Sequence, residues 1–409
     1  MAAVFHKGVS LIAWATGIRW IGWAFVEPII PLFFYSFTES YAYAGVLHSA
    51  YYIVFLLSLP IVGELADRMQ AKTVILIGLL AYPFIGLSYF LAGFFGIALF
   101  VVIARALNGF GYAFDNVGRA TYYMRAVKEG RMSEAFGHFD AVSTTVYVSA
   151  LFLALLVIPL FGFEWLALFI IPFSIVAIIL LFFWLPKQKT KTSIHPYHYA
   201  FTKTAFTEMI NEVRGWGLGL RLVGLFVFFQ GFTKSVARFI LPIFAFATGS
   251  SLLQVIFMAV LFEVPKLFGD LLGRAADKRR VAALMFGITL SCFFFVVLAF
   301  SQEYVFLLVT ILGIGFVSEL VGLSEKGLKA RLTRPSHFGK MNSVMNALMT
   351  IGGFTSPLAL GFMLDFSTAT ITFLTIALFG LILLVLIGKY QNEFEKVPAH
   401  AYQQKRHLS

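Results

Sequence analysis

The sequence predicts an all-α membrane protein of twelve transmembrane helices, arranged as two pseudo-symmetric six-helix bundles. Three observations carry the prediction. Sixty per cent of the 409 residues are hydrophobic and only 12% are charged, where a soluble globular chain carries about 25% charged residues. The apolar residues form continuous runs of membrane-spanning length instead of alternating with polar ones. The polar gaps between runs carry Lys and Arg on every second loop only, the asymmetry expected of cytoplasmic loops.

A bilayer core takes about 20 apolar residues per helix. Twelve runs meet that need, at 10–35, 43–64, 74–92, 97–122, 138–160, 165–186, 216–246, 251–272, 281–300, 304–327, 341–362 and 370–390. The even-numbered loops hold eighteen cations, among them Arg68, Lys72, Arg125, Lys187, Arg274 and Arg331. The odd loops hold none and contain Glu39, Glu164, Glu303 and Asp365. The even loops and both termini are therefore expected on the cytoplasmic side of a plasma (inner) membrane. The net charge of +11 is a topology signal. It is not a nucleic-acid footprint, because no long polar segment exists to present a basic face. The N-terminus runs straight into the first apolar segment without a small-residue cleavage site, so a retained first span is expected. Cys292 is the single cysteine, which excludes a disulfide framework and a cysteine metal site.

The stretch from Pro186 to Gly215 is the longest polar interruption. It divides the chain into a first bundle at 1–186, a linker at 187–215, a second bundle at 216–390 and a tail at 391–409. His195 and His198 in this stretch are read as part of a solvated linker. The two sides repeat each other. "EPIIP" at Glu27–Pro31 matches "RFILP" at Arg238–Pro242, and Asp67 falls opposite Asp277. Gly109, Gly111, Asp115 and Gly118 fall opposite Gly313, Gly315, Glu319 and Gly322, and Gly137 falls opposite Gly339. Four matches in one order, with slowly drifting spacing, indicate parallel repeats about an axis along the membrane normal.

These segments carry a family resemblance. The chain resembles the major facilitator superfamily over essentially its whole length. Gly63, Leu65, Asp67, Arg68 and Lys72 resemble the signature between spans two and three, G-x-L-x-D-R-x-G-R-K/R, with Gln70 where glycine is usual. "RALNGFG", with Arg105, Gly109 and Gly111, is similar to the fourth-span signature, and "EPIIPLF" looks like the end of the first span in drug-efflux-type members. The fifth span lacks the Gly-Pro-rich signature of drug/proton antiporters. The resemblance implies a monomer that alternates access to a central site. It also implies that Gly63, Asp67 and Arg68, with Asp277 in the repeat, latch the halves and gate the cycle. Physically, such a latch is a contact that must form and break on every cycle, worth a few kcal/mol. The bland reading is that Asp67 and Arg68 cap a turn and fix topology.

Ionisable groups inside spans are costly and mark functional sites. Glu27 and Arg105 each lie about eight residues from the outer end of their runs, about 12 Å deep. At matched depth they can pair, which makes Glu27 the candidate proton-coupling carboxylate. Burial favours its protonated form and Arg105 favours its charged form. A static pair that only orders the helices is the alternative. Pro31 and Pro242 remove the helix hydrogen bonds to the carbonyls of Glu27 and Arg238. Irregular backbone at membrane depth is tolerated where it lines a cavity or is buried in protein, so both residues are expected at a central cavity. Lys234 lies four residues before Arg238 on the same helix face. Lys234, Arg238 and Glu263, with Glu27 and Trp23, are the candidate substrate-binding residues. The alternative pairs Lys234 and Arg238 with Glu263. Asp115 and Glu319 are candidate gates at the inner mouth, or static partners of Arg119 and Lys326.

These readings lead to a secondary transporter of a small molecule, expected to drive proton-coupled efflux of amphipathic compounds. Uptake or exchange of a small organic anion is the second reading, and a non-transporting receptor or assembly protein on the same scaffold is the third. An enzyme is excluded by the absence of HExxH, G-x-S-x-G and P-loop motifs. No cofactor, metal or nucleic-acid partner is expected; the expected partners are the substrate, protons and lipid.

Overall fold

The computed structural model describes residues 7–127, 132–188, 207, 211, 213–214, 216–269, 271–273, 280–332 and 338–390. Every regular element among the described residues is helical. The first half of the chain forms α1 (Lys7–Ala24), α2 (Ile30–Tyr35), α3 (Tyr41–Arg68), α4 (Ala71–Leu79), α5 (Tyr82–Phe95), α6 (Ala98–Ala126), α7 (Met132–Val157), α8 (Phe163–Ala167) and α9 (Ile170–Trp184). The second half forms α10 (Leu218–Ser235), α11 (Leu241–Ala247), α12 (Leu252–Glu263), α13 (Arg280–Phe300), α14 (Tyr304–Leu332), α15 (Phe338–Phe366) and α16 (Ala369–Lys389).

Helix starts follow local chemistry. Ser40 and Thr368 accept from the backbone N–H of Tyr43 and Ile371, each satisfying one of the free donors of a first turn. Ser251 and Gln254 form a reciprocal capping box at the start of α12. Gly96 closes α5 at φ +66°, a left-handed position that glycine takes without strain.

Among the described residues, ten helical stretches are long and apolar enough to cross a bilayer, and the bent pair α1–α2 makes an eleventh. The expected run at 251–272 does not qualify alone, so the described residues do not reach the expected count of twelve, although helical backbone resumes at 269 and 271–273 after the break. There the α-helix stops at Glu263 and a 3-10 turn follows over Val264–Phe268, because Pro265 cannot extend an α-helical ladder. Phe183, Trp184, Phe366 and Val385 are more than 60% exposed, a surface that needs lipid as its solvent.

The two breaks predicted from proline occur. A single 3-10 turn over Glu27–Ile29 separates α1 from α2, which are bent by 44°. In the second half, Val236–Ile240 forms a π-turn between α10 and α11. Glu27 and Arg238 each sit in such a turn, so their side chains leave the regular helix surface.

Helices of the two halves pack closely on each other. A Cβ at Gly45 of α3 would meet the carbonyl oxygen of Pro357 of α15 at 2.7 Å, and one at Gly63 would meet Ser343 Oγ at 2.9 Å. Small residues let these backbones approach. At the odd-loop end, Asp365 of α15 accepts from Ser40 Oγ and from the backbone N–H of Tyr41 and Ala42 at 2.9–3.2 Å. Phe239 stacks on His48, ring centroids 4.1 Å apart, and Phe34 packs against both. These contacts close the odd-loop end between the halves.

Candidate substrate and ion-coupling site

A cavity of about 480 Å³ lies between the halves. It begins below the Phe34–His48–Phe239 closure and continues toward the even-loop end, where Tyr123, Phe136 and Glu325 line it. Glu27, Arg105, Trp23, Lys234, Arg238, Glu263 and Glu319 all line it, from both halves.

Its centre is a charged cluster built on the two helix breaks. Arg238 donates to Glu263 and, from Nη1, approaches Glu27 Oε1 at 3.5 Å. The Arg238 and Glu27 side chains are 43% and 42% exposed, whereas Glu263 is 5% exposed. That exposure is to the cavity they line, so both groups meet its contents. Lys266 Nζ donates to the second Glu263 oxygen at 2.5 Å. Tyr147 donates its hydroxyl to Glu27 Oε2 at 2.8 Å. Glu27 thus has one partner in its own half and one in the other.

The expected Glu27–Arg105 pair does not form. Arg105 Nη2 instead lies 2.8 Å from His48 Nδ1, and its guanidinium lies over the ring of Tyr51 at 4.8 Å. The π-turn carries Arg238 to Glu27, while His48, two spans before Arg105 in the chain, fills its fork. An Arg donor requires His48 Nδ1 to be the acceptor, which places the ring proton on Nε2, 3.3 Å from Tyr52 Oη. Tyr52 in turn donates to Ser235 Oγ across the halves at 3.4 Å.

The Arg238–Glu263 pairing foreseen as the alternative does form, but Lys234 stays outside it. Among the described residues, Lys234 makes no hydrogen bond or ion pair. Its ammonium lines the cavity near Gly322, and the charges of Lys266, Glu319, Glu325 and Arg238 act on it.

Asp115 is buried and paired, to Arg19 at 2.9 Å and to Arg119 at 3.0 Å. Glu319 lies on the cavity wall, with Oε1 facing the backbone of Gly269. Its suggested partner Lys326 has no described side chain. Gly63 faces Ser343 of the other half, and Arg68 pairs with Glu64 one turn back at 2.5 Å. Lys72 donates to the carbonyls of Phe182 and Leu185, and Arg125 to those of Ala66 and Met69. Each satisfies orphan carbonyls at a helix C-terminus within the first half. The side chain of Asp67 and the whole of Asp277, His195 and His198 lie outside the described residues. Trp23 meets Tyr82 edge-to-face, and Trp20 meets Tyr147 in the same way.

Sequence reasoning missed His48 and Tyr147 as site residues. For His48 a signal existed: a titratable side chain inside span two. For Tyr147 there was none, since its partner lies 120 positions away.

A charge-lined chamber between two helical halves of a multi-pass membrane chain defines a transporter of small molecules. The family model of the Major Facilitator Superfamily matches residues 12–233 and 223–407. The chain belongs to that superfamily, whose members are transporters and not enzymes. Comparison with curated protein sequences gives no match. Among solved structures, the crystal structure of the human organic anion transporter MFSD10 (TETRAN) is similar, with a TM-score of 0.72 over 93% of this chain and 98% of that one. At 15% identity the likeness concerns the fold.

Proposed function

We propose that the chain moves a small organic anion by alternating access, together with a proton held at Glu27. The observation that carries this reading is Lys234, an ammonium on the cavity wall with no paired acceptor among the described residues. In the central cluster Arg238 and Lys266 share Glu263, and Arg238 also meets Glu27, while Glu319 and Glu325 line the same cavity and act on Lys234 without pairing directly with it. A cation without a direct ion pair in a low-dielectric chamber is stabilised by an anion from outside the protein. The substrate's apolar body would rest on Trp20, Trp23 and Tyr147.

Proton and anion should then move the same way. Neutralising Glu27 removes a negative charge from the chamber and releases Arg238 toward the substrate, so each ligand strengthens the other. For a cationic substrate the sign reverses, and exchange results. Proton-coupled efflux of amphipathic compounds, of the drug-efflux type, is the second reading. It is favoured by the aromatic wall beside an accessible carboxylate.

The same reading takes 251–272 as an eighth span, giving twelve in two bundles at 1–186 and 216–390. It places the monomer in the plasma membrane with both termini cytoplasmic. It also keeps Gly63, Asp67, Arg68 and Asp277, with Asp115 and Glu319, as the gating set of the even-loop end. Flux in proteoliposomes tests it. An aromatic carboxylate should accumulate when protons are driven inward, and Lys234→Gln should abolish this while the protein still folds. Outward movement of amphipathic cations against protons would overturn the anion assignment in favour of efflux. Absence of any flux would leave a receptor on the transporter scaffold.

A further inference from the structure

We propose that Arg19, Asp115 and Arg119 form a second site, for a small monovalent anion, on the first half of the chain and independent of Lys234. Two guanidiniums share one carboxylate here. Arg19 Nη2 donates to Asp115 Oδ2 at 2.9 Å, and Arg119 Nε approaches Oδ1 at 3.0 Å. The Arg119 contact is an ion pair without an aligned N–H, so that donor is left over. Arg19 Nε and Nη1 are likewise buried with no acceptor among the described residues. Arg19 is 1% exposed and Arg119 7%.

The cluster therefore holds one surplus positive charge and several unused donors. Aromatic faces do not cancel them. Tyr82 lies 4.1 Å from the Arg19 guanidinium carbon and Phe139 lies 4.5 Å from that of Arg119. A ring face attracts the cation but gives the in-plane N–H groups no lone pair. Leaving a buried guanidinium short of acceptors is costly. Both arginines lie on the cavity wall, toward the even-loop end from Glu27. A single negative charge of halide, nitrate or carboxylate size matches the surplus. The proposal does not depend on what the Lys234 site carries.

The test uses the purified full chain in detergent, without transport substrate. Thermal unfolding is followed while chloride, bromide or nitrate replaces gluconate at constant ionic strength, with acetate as a separate arm. A saturating rise in midpoint with the inorganic anions, absent in gluconate, is expected. It should persist in Lys234→Gln and be lost in Arg19→Gln. A rise with acetate alone, with the same dependence on Arg19, would assign the site to a substrate carboxylate group and not to a free ion. No anion-specific rise, or loss of the rise in Lys234→Gln, overturns the proposal. If Arg19→Gln does not fold, anomalous diffraction from bromide-grown wild-type crystals decides. A bromide within hydrogen-bond distance of Arg19 upholds the site, and bromide confined to other places refutes it.

Discussion

The Asp365 carboxylate of one half sits over the first turn of a helix in the other, accepting the Ala42 N–H at 3.0 Å. It accepts from Tyr41 N–H and Ser40 Oγ as well, so the start of α3 is capped from across the interface. A carboxylate at a helix N-terminus is favoured both by the orphan donors and by the helix dipole. This cap can exist only while the odd-loop end is closed. Replacing a cap by alanine costs about 0.5–2 kcal/mol. Asp365→Ala should therefore shift the closed-to-open ratio by severalfold toward opening. A cysteine placed at Phe34 in a Cys292→Ser background should then label faster with a membrane-impermeant thiol reagent. Unchanged labelling would show that the remaining contacts, His48 with Phe239 among them, hold the closure without this cap.

Glu27→Gln separates coupling from binding. The amide still accepts from Tyr147 but carries no charge for Arg238, 3.5 Å away. Substrate exchange at equilibrium should continue, and its dependence on a pH gradient should disappear. Persistence of gradient-driven accumulation would remove Glu27 as the proton site.

His48 holds Arg105 as an acceptor. His48→Gln can keep an oxygen toward Arg105 and should fold with near-normal stability. His48→Leu leaves the Arg105 fork without that acceptor, and about 1–3 kcal/mol of stability should be lost. Thermal unfolding of the two variants side by side measures the difference.

Asp115 balances two buried arginines. Asp115→Asn leaves both without a counter-charge, a change of the kind that costs about 3–5 kcal/mol. The folded yield should fall sharply, as read by size-exclusion profiles. A high concentration of a small permeant anion during extraction should recover part of it.

Gly231 and Gly352 fit into each other's helices. A Cβ on Gly231 would strike the carbonyl oxygen of Met349, and one on Gly352 that of Phe228. Backbone cannot swing aside as a side chain does. Gly231→Ala and Gly352→Ala should each cost about 1–3 kcal/mol, and the two should be non-additive because they open the same crossing. Double-mutant unfolding tests this.

Much of the site was legible because membrane burial is expensive. A charge inside an apolar run stands out, so Glu27, Arg105, Lys234, Arg238 and Glu263 could be named from the string alone. Prolines announced the two breaks, since a missing N–H has a local consequence. Partner choice was not legible in the same way. Glu27 and Arg105 looked matched in depth, yet depth leaves rotation about each helix axis free. The π-turn at Val236–Ile240 turned Arg238 toward Glu27, and no spacing in the sequence announces an extra residue in a helical turn. Within the eighth run the α-helix gives way to a 3-10 turn at Pro265, a local break that the apolar pattern alone does not show.

By itself the sequence determined the solvent, the helical class, the repeat and the positions where charge enters the membrane. Each of these follows from composition or from neighbours along the chain. Only the tertiary structure decided which charge meets which: Arg238 with Glu27 and Glu263, Arg105 with His48, Asp115 with two arginines, and Lys234 with no direct ion pair among the described residues. Side-chain electrostatics acts over a few ångströms, and such distances between residues far apart in the chain exist only once the helices have packed.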